Sequence, residues 1–339
     1  MTPLTTSLAE GDARRIAAIL APYREPRPAR AVAELAFSAI PFLALSGAAL
    51  AGVHFLGWAF LLLSLPGGVF LVRLFMIQHD CGHGSFFRGR RTNDALGRMI
   101  GVLTFTPYAY WRSMHARHHA TAGNLDRRGK GGDIDLLTVA EYRSRSLWRR
   151  LSYRLSRNPL VLFGLGPAYV FVFKQRLPLG LMGALREGWL SVMSTNLAIA
   201  GLLVAGSLVF GTGTFLFVEM TTLLVAATIG VWLFYVQHQF AATAWDRDGE
   251  WGFYRDAIAG SSHYDLPAPL RWLTANIGIH HVHHLVSRIP SYRLGECLAR
   301  LPELRNINRL TLRDSLGCAR LALWDEQRRR LVRFGNTGG

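Results

Sequence analysis

Four long apolar runs dominate the hydrophobic pattern of this chain. Each contains at most one charged residue and is long enough for a membrane-spanning helix, which needs about 20 mostly apolar residues. Short connections near His54 and at 211–214 join the runs in pairs. We therefore predict an all-α integral membrane protein with four transmembrane helices in two hairpins and a helical cytoplasmic cap. The predicted spans cover about 31–53, 55–77, 190–210 and 215–237.

A fifth apolar run, at 158–173, is shorter and is interrupted by Gly164, Gly166 and Pro167. Such a run is more typical of an interfacial or re-entrant segment than of a span. We therefore predict that this run does not cross the membrane.

The charged residues are segregated from the apolar runs. The chain has 339 residues, is 50% hydrophobic and carries a formal net charge of +16. The basic residues lie in the N-terminal arm, at 88–186 and after Asp246, and the positive-inside rule places all three regions in the cytoplasm. This charge favours contact with anionic headgroups. No nucleic-acid recognition motif accompanies it, so we predict no nucleic-acid partner.

These patterns divide the chain into a cytoplasmic N-terminal arm at 1–30, a membrane domain at 31–310 and a basic cytoplasmic tail at 311–339. The arm is acidic in places and precedes the first apolar run by thirty residues, so it is not a secretory signal. Its segment 14–20 predicts a short amphipathic helix on the membrane surface. The three cysteines form no C-x-x-C pair, which fits a reduced, cytosol-facing setting.

Eight of the twelve histidines fall into three clusters with the spacings i, i+3 and i+4, which place side chains on one helix face. Neutral imidazole binds iron, copper, nickel and zinc. Eight ligands are too many for one ion and fit two, and structural zinc, which is usually four-coordinate and often bound by Cys, is less favoured. The predicted ligands are His79, His83, His115, His118, His119, His280, His283 and His284.

Other polar residues near these clusters have less certain roles. His54 lies in a predicted far-side turn, and His281 lies off the ligand face of its cluster, where it suits a hydrogen bond better than a metal. Asp80, Asp126 and Asp265 could orient imidazoles as neighbouring carboxylates, or could serve as loop and cap residues.

Four strings around the clusters carry a resemblance to a known family. They are HDCGHGSFF at 79–87, HHATAGNLD at 118–126, GSSHYDLP at 260–267 and the segment 276–292. With their order around the apolar runs, they make residues 31–310 resemble the membrane fatty acid desaturases. The match is close to bacterial omega-6 (delta-12) acyl-lipid-type desaturases.

This resemblance implies a centre of two non-haem iron ions that uses O2 to introduce a cis double bond into a fatty acyl chain. The acyl substrate could be linked to a lipid, to CoA or to a carrier protein. The resemblance also implies a ninth ligand from the end of the fourth span, for which His238 and His263 are candidates. We predict His238, because it follows the apolar run directly and the string at 235–238 resembles the family's position. A bacterial inner membrane, with both termini and the site cytoplasmic, is the implied location.

The electrons must come from an external carrier. The chain has no fused cytochrome b5 string, no nucleotide-binding glycine motif and no ferredoxin-like cysteine set. A ferredoxin or similar small carrier could dock on the basic face, although this charge could equally serve membrane lipids alone.

Two rival functions fit part of the pattern. A carotenoid ketolase or hydroxylase, or an alkane hydroxylase, would share the histidine chemistry. A membrane metal transporter would place polar ligands along a path inside the spans. The predicted spans contain few such residues, so we favour the desaturase.

Overall fold

The computed structural model describes residues 9–129, 134–179 and 186–336, and these are mostly helical. The first half contains α1 (Glu10–Leu20), α2 (Pro28–Phe55), α3 (Ser64–Gly82), α4 (Arg90–Leu103), α5 (Tyr108–Thr121), β1 (Leu137–Thr138), α6 (Val139–Ser144), α7 (Leu147–Ser156) and α8 (Gly166–Ala168). The second half contains α9 (Arg186–Phe210), α10 (Thr212–His238), α11 (Phe253–Ala259), β2 (His263–Asp265), α12 (Ala268–Leu273), α13 (His280–Leu285), α14 (Leu294–Arg300), β3 (Arg309–Thr311), α15 (Leu312–Cys318), β4 (Leu323–Asp325) and β5 (Arg330–Val332).

Among the described residues, four helical segments are long and apolar enough to cross a membrane: Pro28–Phe55, Trp58–Gly82, Arg186–Phe210 and Thr212–His238. The second of them joins a 3₁₀ turn to α3. Helix α10 packs against α2, α3 and α9. These helices are longer than the predicted spans, and α3 and α10 continue at one end as far as His79 and His238.

The lone charges of the first two spans form an ion pair. Arg73 Nη2 lies 2.6 Å from Glu34 Oε2, and both side chains are buried. Arg73 also stacks on the ring of Trp272 at 4.0 Å and donates to the Trp272 carbonyl. Isolated charges are costly in hydrocarbon, and pairing reduces that cost. The pair therefore fastens α2 and α3 to each other and to α12.

We call the end of the helical bundle where α3 and α10 carry His79 and His238 the site end. The remaining elements form a cap over this end. Two small sheets lie within this cap. Strand β4 pairs in parallel with β1 and antiparallel with β5, and β2 pairs in parallel with β3, so that His263 lies opposite Arg309. The described residues after 310 are thus partly built into the cap.

The short amphipathic helix predicted for segment 14–20 is present as part of α1, but its apolar side packs against protein. Ala13, Ala17 and Leu20 are buried in one cluster with Val282 of α13. Glu10 accepts hydrogen bonds from the backbone N–H groups of residues 254 and 255, at the start of α11. The apolar side of this helix is thus covered by protein: α1 packs against α11, which packs in turn against α13, the helix that carries the third histidine cluster.

The fifth apolar run lies along the outside of α10. Two π-helical turns, Val161–Leu165 and Tyr169–Phe173, flank α8. The Phe163 carbonyl accepts a hydrogen bond of 3.0 Å from Thr228 Oγ1, and its ring contacts Trp232 edge to face. The segment is therefore level with the part of α10 nearest the site.

Candidate metal centre

Four elements deliver the clustered histidines to one place. His79 and His83 end α3 one turn apart, and His238 ends α10. The second cluster lies on α5 and the third on the short helix α13. Because the spacings i, i+3 and i+4 keep each cluster on one helix face, the imidazoles converge where these faces meet.

The nine predicted ligands form two groups. In each group the candidate ligand atoms all lie within 4.8 Å of one another. The first group, which we call group A, contains His79, His83, His115, His119 and His283. The second, group B, contains His118, His238, His280 and His284. The groups are adjacent, since the rings of His119 and His284 stack with centroids 4.1 Å apart.

The separations between ring nitrogens suit a bound cation. In group A, His115 Nε2 lies 3.1 Å from the Nε2 atoms of both His83 and His119. In group B, His238 Nε2 lies 3.1 Å from His118 Nε2 and 3.0 Å from His280 Nε2. An ion about 2.1 Å from each nitrogen separates adjacent ligands by about 3.0 Å at right angles and by about 3.4 Å in a tetrahedron. The nitrogen separations in both groups are therefore within the range that the ligands of one metal ion adopt.

Burial keeps these imidazoles in the form that binds metal. It holds the pKa of His115, His119 and His283 well below the usual value, and neighbouring histidines lower it further. The same causes act on His280 and His284. A neutral imidazole has one free ring nitrogen, which is the atom that a metal needs.

Two of the predicted ligands have partners that orient their rings. His238 Nδ1 donates to the Gly260 carbonyl at 3.0 Å, which leaves the other ring nitrogen, Nε2, facing the other histidines of group B. His79 Nδ1 lies 3.2 Å from Asp80 Oδ1. The other oxygen of Asp80 accepts a 2.7 Å hydrogen bond from the backbone N–H of Ser291, beyond the third cluster. Asp80 therefore links the first cluster to the segment that follows the third.

The wall beside group A is aromatic. Trp111 stacks on His115 with centroids 4.6 Å apart and planes at 15°. A Cβ on Gly82 would lie 2.9 Å from the Trp111 ring, so glycine leaves the room for this stack. Nothing in the sequence pattern links Gly82 to Trp111, because the contact joins two helices.

The remaining histidines lie outside both groups. His263 Nδ1 donates to the Arg305 carbonyl at 2.7 Å, and His281 Nε2 donates to the Leu304 carbonyl at 2.9 Å. His54 donates to the Phe210 carbonyl at the opposite end of the bundle. These three act as hydrogen-bond donors in the structure.

Two carboxylates do not orient any imidazole, which settles the alternative left open by the sequence. Asp126 pairs with Arg247 at 2.7 Å, and Asp265 pairs with Arg309 at 2.7 Å. Both serve the loops and strands of the cap. Of the three candidate carboxylates, Asp80 is the one bonded to a clustered histidine.

No sequence pattern indicates which side chain holds the loop that contains the Gly260 carbonyl. Asn308 has a φ of +45°, and its Nδ2 donates to the carbonyls of residues 258 and 261 at 3.0 Å each. Asparagine tolerates this left-handed conformation better than most residues. Its side chain thereby fixes the loop that orients His238.

Comparison with known proteins identifies the family of this chain. The profile of a family described as fatty acid desaturase matches residues 13–314. The chain belongs to the fatty acid desaturase family. The resemblance drawn from the histidine strings is therefore confirmed, as is the prediction that the protein is a desaturase and a membrane protein.

Individual relatives carry names of the same activity. A fatty acid desaturase of Bacillus subtilis is 42% identical over 315 residues, which cover 93% of this chain and 89% of that protein. An sn-1 acyl-lipid omega-3 desaturase (ferredoxin) of Nostoc is 28% identical over 68% of this chain and 64% of its own length. An sn-1 oleoyl-lipid 12-desaturase of Synechocystis is 25% identical over 72% of this chain and 68% of its own length.

Proposed function

We propose that this desaturase introduces a cis double bond into a lipid-linked acyl chain, with O2 as co-substrate and two iron ions held by groups A and B. The observation that carries the proposal is the convergence of nine histidines in two adjacent groups at the end of apolar helices. The ligand set is histidine alone, and group A offers five nitrogens, which suits redox iron better than structural zinc.

When bound, the metals supply the O2-dependent removal of two hydrogen atoms from neighbouring methylenes, while two further electrons and two protons complete the reduction of O2 to two waters. The chain's own residues prepare for this step. Asp80 and the Gly260 carbonyl fix the orientation of His79 and His238. All four histidines of group B are buried, which keeps bulk water away from that group, and group A is partly buried.

The acyl chain must reach the histidines from the bilayer, because they lie at the ends of apolar helices. A small cavity of about 10 Å³ beside group B is lined by His118, His238, Phe234, Ile134 and Trp245, among others. It has too little space for an acyl chain. We expect its apolar side chains to move aside when substrate enters, and the names of the acyl-lipid relatives favour a lipid-linked substrate.

The electrons would come from a ferredoxin or a similar small carrier, as the name of the Nostoc relative suggests for that protein. The basic residues of the cap favour an acidic carrier, and by the positive-inside rule they support a cytoplasmic site end at a bacterial inner membrane. Reporters fused at either terminus should report the cytoplasm, and a reporter near His54 should report the far side. Termini on opposite faces would contradict both the four-span topology and the shared site.

The decisive test is expression in a host with simple membrane lipids, followed by mass spectrometry that locates new double bonds. We expect new cis double bonds in lipid acyl chains, and none when O2 is withheld. Hydroxylated or oxo products would favour the rival oxygenases. Metal uptake without any lipid change would favour a transporter.

A further inference from the structure

Helix α7 exposes an apolar face outside the predicted spans. Its tryptophan, Trp148, is 83% exposed. The large exposed apolar residues of the helix are Leu147, Trp148, Leu151 and Leu155. Their spacing of one, three and four residues keeps them on one side of a helix. A contiguous exposed apolar face of this kind marks a surface that another apolar phase covers.

The position of α7 indicates which phase this is. Arg157, which caps the helix, is buried and donates from Nη2 to Gln239 Oε1 at 2.9 Å and to Tyr235 Oη at 3.3 Å. Tyr235 belongs to the last turn of α10, and Gln239 is the first residue after this helix. The run after α7 then packs along the outside of α10. Helix α7 therefore lies level with the boundary where α10 leaves the apolar layer.

A basic basin opens beside the start of α7. It has a volume of about 590 Å³ and is lined by Arg128, Glu141, Ser144, Arg145, Ser146 and Arg149. Its one acidic residue, Glu141, is paired with Arg128. Three arginines against one glutamate leave the lining with a net charge of +2, and Arg145 and Arg149 carry this excess.

We propose that the basin and the apolar face of α7 together bind an anionic glycerophospholipid of the membrane that the spans cross. The headgroup phosphate would accept hydrogen bonds from Arg145 and Arg149, while Trp148 and Leu151 rest among the upper acyl carbons. Guanidinium groups bind phosphate through paired N–H donors, and an arginine-rich amphipathic helix binds at the interface of anionic membranes. The apolar face beside the basin is what distinguishes a lipid from a soluble phosphate. This lipid-binding site does not depend on the proposed catalytic function.

Titration of the full-length protein in detergent with phosphatidylglycerol, followed by native mass spectrometry, tests lipid binding at this site. In the double variant Arg145→Ala/Arg149→Ala we expect affinity for phosphatidylglycerol to fall about thirtyfold, which corresponds to about 1 kcal/mol for each arginine. Phosphatidylcholine should bind weakly to both forms. The matched control is Arg300→Ala/Arg305→Ala, which removes two exposed arginines outside the basin and should keep the affinity.

Three results would overturn the proposal. They are unchanged affinity in the basin variant, an equal loss in the control, and complete displacement of the lipid by millimolar inorganic phosphate, which would indicate a soluble ligand.

Fluorescence quenching in nanodiscs provides a second measurement that does not depend on the arginines. Lipids brominated near the headgroup should quench a fraction of the tryptophan fluorescence that disappears in Trp148→Phe. Quenching of this fraction by aqueous iodide instead would place α7 in water and contradict the proposal.

Discussion

The two ends of the helical bundle are built in different ways. At the site end, Gln78, Asp80 and His238 are almost completely buried. At the far end, His54 is exposed and makes one hydrogen bond, to the Phe210 carbonyl. The far-end connections are short and turn at Gly57 and Gly211, which have φ of +120° and +80°.

This difference shows that a histidine next to an apolar helix has no fixed meaning. At the far end, water is available and a single hydrogen bond satisfies the ring. At the site end, long segments fold back as a cap, exclude water and bring imidazoles from four elements together. A buried polar group without a partner is costly, so the cap must provide either hydrogen bonds or a metal for each ring.

The largest expected effect is the loss of activity on replacing a clustered histidine. Alanine at His79, His118 or His283 should each lower double-bond formation at least about 100-fold, because a metal site fails when a ligand is removed. The matched far-end variant His54→Ala should retain activity. Lipid analysis measures the product, and the amount of protein in the membrane fraction controls for insertion. Near-normal activity in any clustered variant would remove that residue from the ligand set.

A second comparison separates the two candidates for the ninth ligand. His238→Ala should lose iron, because its Nε2 lies in group B, while His263→Ala should keep iron because its ring bonds the Arg305 carbonyl. Iron per chain and activity in both variants measure this difference. The reverse pattern would contradict the assignment.

The third expected effect concerns the carboxylate of Asp80, which orients the His79 ring. Asp80→Asn should weaken metal binding about 10- to 100-fold, since it replaces the carboxylate that orients His79 and accepts from Ser291. Asp126→Asn should have no such effect, because Asp126 pairs with Arg247 in the cap. Metal retention against a graded chelator gives the affinities. Equal retention in both variants would leave Asp80 without a positioning role.

A smaller effect concerns helix packing. A Cβ on Gly68 would lie 2.6 Å from Val225 and 2.9 Å from the Thr222 carbonyl, so Gly68→Ala should destabilise the contact of α3 with α10 by about 1–3 kcal/mol. Gly230→Ala, at a position with open space, should be neutral. Thermal unfolding in detergent compares the two variants. Equal unfolding temperatures would show that α3 and α10 are not in tight contact at Gly68.

The smallest effect is a pH dependence from His281. Burial lowers its pKa from 6.5 to about 3, so the unfolded chain takes up a proton first as the pH falls. This contribution to stability is complete above pH 6.5 and is lost progressively between 6.5 and about 3. His281→Gln keeps a donor for the Leu304 carbonyl and should flatten the fall in unfolding temperature between pH 7 and 5. An unchanged slope would contradict the assignment.

Local patterns were sufficient to predict the helices and the clusters, but not the contacts between distant segments. The i, i+3 and i+4 spacings predict each histidine face, and the apolar runs predict the four long helices. The sequence does not reveal that Arg73 reaches Trp272, 199 residues away, or that α1 packs against α11 and shares a buried cluster with α13. The strands also escaped prediction, because they are two or three residues long and depend on partners elsewhere in the cap.

The carboxylates illustrate the same limit. Asp80, Asp126 and Asp265 all lie within or near the family strings, and composition cannot separate them. Only the fold decides that Asp80 lies beside His79 and that the other two face arginines.

The metal content of the purified protein tests the central claim most directly. Groups A and B are proposed to hold one iron ion each. Elemental analysis by mass spectrometry, with protein quantified by amino-acid analysis, should give two irons per chain and little zinc. One iron per chain, or zinc as the main metal in protein that forms double bonds, would contradict the account.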